Sequence, residues 1–189
     1  IPKYFNRDYF ENNYYLMKFH KFEYKKINST NDVAIKKIKK GYLNGIIIAD
    51  TQKKARGQYG RKWICYKGNL FMSIFFRIKS NISLKTITKL NCEIVKNSIY
   101  QAIKKKINIK YPNDLLINNR KFCGILQETV FCKSKKFIII GIGINLIKSP
   151  NIKNYLTTNI LEETGLSLNK IKISKLIELN YYKKLNLFA

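Results

Sequence analysis

The sequence holds one histidine (His20), one tryptophan (Trp63) and three prolines among 189 residues. A Ser-His-Asp triad or a histidine-rich metal centre would therefore have to use His20. The four cysteines, Cys65, Cys92, Cys123 and Cys132, form no CxxC pair, which argues against zinc and thioredoxin-like chemistry and names no metal site. Acidic side chains are scarce, 11 against 37 basic ones. Lysine interrupts every long apolar stretch well short of the ~20 residues a membrane-spanning helix requires. No signal peptide is visible, so the expected compartment is a reducing cytoplasm, with no membrane partner. The chain opens on Ile1 rather than Met, as a processed chain or a fragment would.

What remains is ample material for a core. Hydrophobic residues make up 46% and aromatics 13%, enough for one mixed α/β domain spanning residues 1–189. The formal charge of +26 points first to nucleic acid or an anionic surface. However, the basic residues are 32 Lys and only 5 Arg, accompanied by 30 Ile and 21 Asn. All three abundant types have A/T-rich codons and are spread through every segment. Most of the charge is accordingly read as compositional drift on solvated faces, and it selects no partner.

Residues 16–27 read as a strand, and Ser29-Thr30-Asn31-Asp32 as the cap of a helix ending at Gly41. Residues 45–51 and 70–78 are apolar runs expected as buried strands, separated by an aperiodic basic stretch, 52–69. Apolar residues recur at helical spacing from Leu84 to Ile107. Short strands follow, with a tight turn at Asn118-Asn119, then a short helix ending near Gly165 and a longer one after Asn169.

Three segments are suited to approach a ligand. In ARGQYGRKW (55–63), glycines beside Arg56, Arg61 and Lys62 could form an anion-binding concavity. A solvated basic loop or an RNA contact has the same composition. In the strand ending at Asn145, period two puts Ile138, Ile140, Ile142 and Ile144 on one face and Ile139, Gly141, Gly143 and Asn145 on the other. The stripped face admits either a flat ligand or a packed helix or neighbouring strand. In KYPNDLLINNRKFCGIL (110–126), Asn113-Asp114 sits at a turn, and Lys121 starts a return strand on which Gly124 is expected to take the opposite face.

Taken together, STND, Gln52 with ARGQYGRKW, KYPNDL, RKFCGILQE and GIGIN resemble the biotin–protein ligases in order and spacing over residues 16–147. The resemblance implies an α/β (α+β) fold: a mixed β-sheet with helices packed on it, similar to lipoate ligases and class II synthetases. It implies ATP-dependent activation of biotin to biotinyl-5′-adenylate, with Mg2+ accompanying ATP. Transfer to a lysine of a biotin carboxyl carrier protein, of acetyl-CoA carboxylase or a related carboxylase, would follow. By resemblance Ser29, Thr30, Asn31 and Gln52 line the biotin pocket, with Arg56, Gly57 and Gln58 in the loop that closes over it and Gly124 on its strand. Lys121 would bridge the biotin carboxylate and the α-phosphate, with Arg56 and Arg61 assisting catalysis. Arg61, Trp63, Asn113, Asp114 and Asn145 fall where the family handles nucleotide.

Several positions depart from the family pattern. Ala55 replaces the first loop glycine and Gln58 the second arginine, which helps hold the adenylate; Tyr111 replaces a tryptophan. Too few residues precede STND for a DNA-binding winged helix, so no specific DNA partner is expected. The usual C-terminal small β-barrel is not expected either, and homodimerisation is open. The competing readings are a truncated or inactive ligase remnant, a lipoate- or octanoyl-type ligase, and a non-catalytic RNA-binding domain.

Overall fold

The computed structural model describes residues 18–78, 82–153 and 155–188. Ser29 starts the first helix, α1 (Thr30–Lys39): its side chain accepts the Asp32 N–H, and Gly41, at φ 98°, turns the chain away past the last turn. This helix connects β1 (Lys21–Ile27) to its parallel neighbour β2 (Asn44–Gln52), as a parallel pair requires. Of the expected strand 16–27, residues 16 and 17 lie outside the described residues and 18–20 precede the strand, His20 O accepting the Ile46 N–H of β2 at 2.7 Å.

The other strands are β3 (Leu70–Arg77), β4 (Asn108–Lys110), β5 (Asp114–Ile117), β6 (Arg120–Cys132) and β7 (Lys135–Ile144). The sheet order is β1-β2-β3-β7-β6-β5-β4, antiparallel after the first pair. Three further helices are α2 (Leu84–Ile103), α3 (Ile160–Thr164) and α4 (Lys170–Tyr182). The mixed sheet with packed helices is the architecture expected from sequence. Asn118 and Asn119 take φ 49° and 60°, as a tight hairpin turn demands, and Lys133 and Ser134 do the same without the usual turn residues.

The two faces of β7 have different occupants. Ile138, Ile140, Ile142 and Ile144 join Leu70, Met72, Ile74 and Phe76 beneath α2 and α4 in the main core. On the reverse face, Ala34 and Ile38 of α1 pack over Ile47, Phe75, Phe137 and Ile139. Beyond Ile139 that face continues as Gly141 and Gly143, so the second core stops where the candidate site begins.

One expectation is corrected. The β5–β6 register shifts between Leu115 and Leu116, which pair with Cys123 and Lys121 respectively. The extra residue, Phe122, makes a β-bulge, so Phe122 and Cys123 both enter the main core. Strand parity flips there, and Lys121 shares a face with Gly124 instead of opposing it. The Lys121 Cε lies 3.4 Å from where a Cβ on Gly124 would stand.

Candidate active site

The floor is made of three glycines whose side-chain space is already taken. A Cβ on Gly141 would come within 2.5 Å of Asn31 Oδ1; on Gly124 and Gly143 it would meet the Trp63 ring at 2.6 and 2.7 Å. Only glycine lets the indole lie against both strands. Trp63 Nε1 is buried and has no hydrogen-bond partner among the described residues.

Trp63 is delivered by residues 55–63, which fold back on themselves. Arg56 bridges Lys62. The Trp63 N–H donates to Ala55 O at 3.0 Å, Gly57 N–H to Arg61 O at 2.6 Å, and Arg61 N–H to Gln58 O at 3.2 Å. The expected anion-binding concavity is thereby corrected in part: the Gly57 amide is used inside the hairpin, and Gly60, at φ 71°, serves the turn at its tip. Arg61 and Lys62 stand exposed at the cleft mouth.

A polar chain ties this loop to the body. Arg56 meets Asp32 Oδ1 at 2.8 Å and Glu128 Oε1 at 3.4 Å. Glu128 Oε2 accepts from Asn31 Nδ2 at 2.5 Å, and Asn31 Oδ1 accepts from Ser73 Oγ at 2.5 Å. Burial opposes the Arg56 charge, but the hydrogen bond to Asp32 and both carboxylate charges outweigh it and raise the guanidinium above its ordinary value. Both Arg56 and Asp32 are about a third exposed, so each ion pair contributes roughly 0–1 kcal/mol. Their principal effect is to fix geometry. Nearby, the Thr30 N–H donates to Gln52 Oε1 at 2.7 Å, and Gln52 Nε2 faces Cys65 Sγ at 3.7 Å. Burial pushes the Cys65 thiol up against the smaller opposing effects of Gln52 and Lys62, which disfavours a thiolate nucleophile there.

Lys121 supplies a largely buried cation to the cleft, at 14% side-chain exposure. Its ammonium lies 2.7 Å from Asp114 Oδ1 as an ionic contact, and 5.3 Å from the ring centres of both Trp63 and Tyr155. Among the described residues no aligned hydrogen bond reaches Asp114 Oδ1.

Every residue assigned from sequence to biotin or catalysis lines this single cleft, and so do Trp63, Asn113 and Asp114. Asn145 does not. It is buried, donating to Thr158 O at 3.1 Å and accepting from Asn69 Nδ2 at 3.4 Å, and so supports the site from beneath. The sequence reading missed Glu128, Ser73 and Tyr155, and took Asp32 only as part of a helix cap. Glu128 was reachable, being two alternations beyond Gly124 on the cleft face. Nothing local marks Ser73 or Tyr155, which the fold brings in from other strands and loops.

The profile of the Biotin/lipoate A/B protein ligase family matches residues 23–145. The bifunctional ligase/repressor BirA of Escherichia coli K12 is 29% identical over 170 residues, covering 86% of this chain and 52% of that protein. BirA of Bacillus subtilis 168 is 32% identical over 149 residues, covering 74% and 45%. This chain thus spans about half the length of the curated relatives it matches. Among solved structures, the biotin protein ligase from Aquifex aeolicus in complex with biotin and ATP superposes with a TM-score of 0.71 at 26% identity, covering 88% of this chain and 71% of that one.

Proposed function

Since the chain belongs to the Biotin/lipoate A/B protein ligase family, we propose that it is a biotin–protein ligase that activates biotin with ATP and transfers it to a carrier lysine. One observation carries this reading. A single cleft joins the apolar face of Trp63, laid directly on Gly124 and Gly143, to the hydrogen-bonding groups of Ser29, Thr30, Asn31 and Gln52 and to the largely buried Lys121 ammonium. A bicyclic ureido ring needs both an apolar surface and amide partners. A dithiolane has no use for the amides, which favours biotin over lipoate.

In the first step a biotin carboxylate oxygen attacks the α-phosphorus of ATP. The bond from that phosphorus to the β-bridging oxygen breaks, and pyrophosphate leaves. Lys121 offsets the repulsion between the two anions and stabilises charge developing at phosphorus. Arg61 at the mouth adds attraction for the phosphates, while Arg56, anchored by Asp32 and Glu128, holds the loop that carries Trp63. Magnesium enters with ATP as part of the substrate, bound mainly by phosphate oxygens and water. In the second step the carrier's neutral ε-amine attacks the acyl carbon, the acyl C–O bond breaks, and AMP departs. The fitting partner is a biotin carboxyl carrier domain of acetyl-CoA carboxylase or a related carboxylase.

The test mixes the chain with Mg-ATP, biotin and an apo carrier domain and follows carrier mass, with Lys121→Ala as control. ATP-dependent labelling that falls by about 10²–10³ in the control is expected. Neither labelling nor biotin-dependent pyrophosphate exchange in the wild type would overturn the proposal.

A further inference from the structure

The last register pair of β7 with β6 is Cys123↔Ile144, and the last backbone hydrogen bond runs from the Asn145 N–H to Phe122 O at 2.7 Å. A strap, residues 156–158, takes the next place along β6, bridging Lys121 in parallel at Thr157. The Lys121 N–H donates to Leu156 O, and Lys121 O accepts the Thr158 N–H, both at 2.9 Å. Both backbone groups of the site lysine are therefore held by this strap, just before the bulge that turns its side chain into the cleft.

The strap is held in turn by Glu163, whose side chain is 2% exposed. Glu163 Oε1 accepts from Thr158 Oγ1 at 2.9 Å and from the Arg120 guanidinium at 2.6 Å, while Oε2 accepts from Asn118 Nδ2 at 2.7 Å. Lys105 Nζ stands 3.6 Å from Oε2. Burial would raise this carboxyl, but Thr158, Arg120 and Asn118 together hold it below the usual carboxylate range. A buried carboxylate with this many donors fixes its neighbours in one arrangement. The strap's other end carries Tyr155, the second ring beside the Lys121 ammonium.

We infer that Glu163 is a positioning residue for Lys121: through Thr158 it fixes the strap, and the strap fixes the backbone from which the ammonium is aimed between Trp63, Tyr155 and Asp114. The kinetic consequence rests on the proposed ligase reaction; the geometric one does not. Supporting shells of this kind decide whether a site group sits within a few tenths of an ångström of its working position.

Trp63 is the sole tryptophan, so intrinsic emission of the ligand-free chain reports on the ammonium 5.3 Å from its ring. Lys121→Met sets the emission expected when that ammonium is removed. Glu163→Gln and Thr158→Val should shift emission in the same direction, whereas Thr158→Ser, which keeps the hydroxyl, should retain the wild-type spectrum. Glu178→Gln removes a different buried carboxylate, paired with Lys21 at 2.6 Å on the opposite face of the sheet. It should lower the melting midpoint and leave emission and turnover alone. In biotin-dependent pyrophosphate exchange, Thr158→Val should reduce kcat by up to about a hundredfold with the biotin KM little changed. Should Glu163→Gln fail to fold, Thr158→Val decides alone. The inference is overturned if Thr158→Val keeps wild-type emission, or shifts it without lowering kcat in an active enzyme. A wild type without exchange refutes the ligase reading and leaves the emission arm to judge the positioning.

Discussion

The two faces of β7 share ten residues of backbone and almost nothing else. Beneath α2 and α4, four isoleucines lie fully or almost fully buried in a continuous apolar layer. On the reverse, Ile139 meets α1, and two glycines then give way to Asn31 and Trp63, with ion pairs and unmatched polar atoms close by. The main core accepts any side chains that fill it; the cleft depends on particular atoms at particular points. Alternation along one strand thus lets stability and ligand recognition be altered almost independently.

That separation can be broken from either side. Ile140→Ala opens the main core and should cost about 2–5 kcal/mol of stability, with biotin affinity preserved in the fraction that folds. Gly143→Ala should chiefly lower biotin affinity, since its methyl would meet the indole at 2.7 Å and push the ring off the strand; its overpacking cost to stability, roughly 1–3 kcal/mol, should stay below that of Ile140→Ala. Chemical denaturation and biotin titration on both variants check the pair, and equal losses of affinity would show that the faces are not independent.

A smaller effect sharpens the contrast within the cleft. Gln58 lines it where the resembled family carries an arginine. A restored charged hydrogen bond is worth roughly 1.5–3 kcal/mol. Gln58→Arg should therefore slow biotinyl-adenylate dissociation by about ten- to a hundredfold, and identical dissociation rates would remove the argument.

The smallest expected effect concerns acid. Glu163 has its carboxyl depressed in the fold, so its contribution is present above the ordinary carboxylate range and is lost as pH falls through the lowered value. Glu163→Gln should flatten the acid limb of a stability–pH profile below about pH 4. An unchanged limb would assign acid sensitivity to other carboxylates.

Much of this architecture was legible locally. Isoleucine spacing along α2 and the Ile/Gly alternation of β7 are periodic signals, and the Asn118-Asn119 turn is a matter of residue chemistry. The bulge at Phe122 was not, because period two carries no mark of an inserted residue; it changed which face Lys121 takes. The Lys133-Ser134 turn is imposed by the two-residue gap between β6 and β7 against local preference. The union of Arg56 with Asp32 and Glu128, and of Lys121 with residues 156–158, depends on segments tens of residues apart. Composition suggested that most of the lysine is solvated surface, and the buried exception, Lys121, was visible only through its neighbouring motif.

The tight connection between β6 and β7 also orders the assembly of the cleft. Gly124, Glu128, Gly141 and Gly143 lie on two strands joined by a two-residue turn, so bringing them together closes a short loop. The ring that covers them comes from position 63 and the amide from position 31, each requiring a loop of more than sixty residues to close. Loop-closure entropy grows with length, so the floor of the pocket is its least demanding part to form. Its walls bear most of the conformational cost.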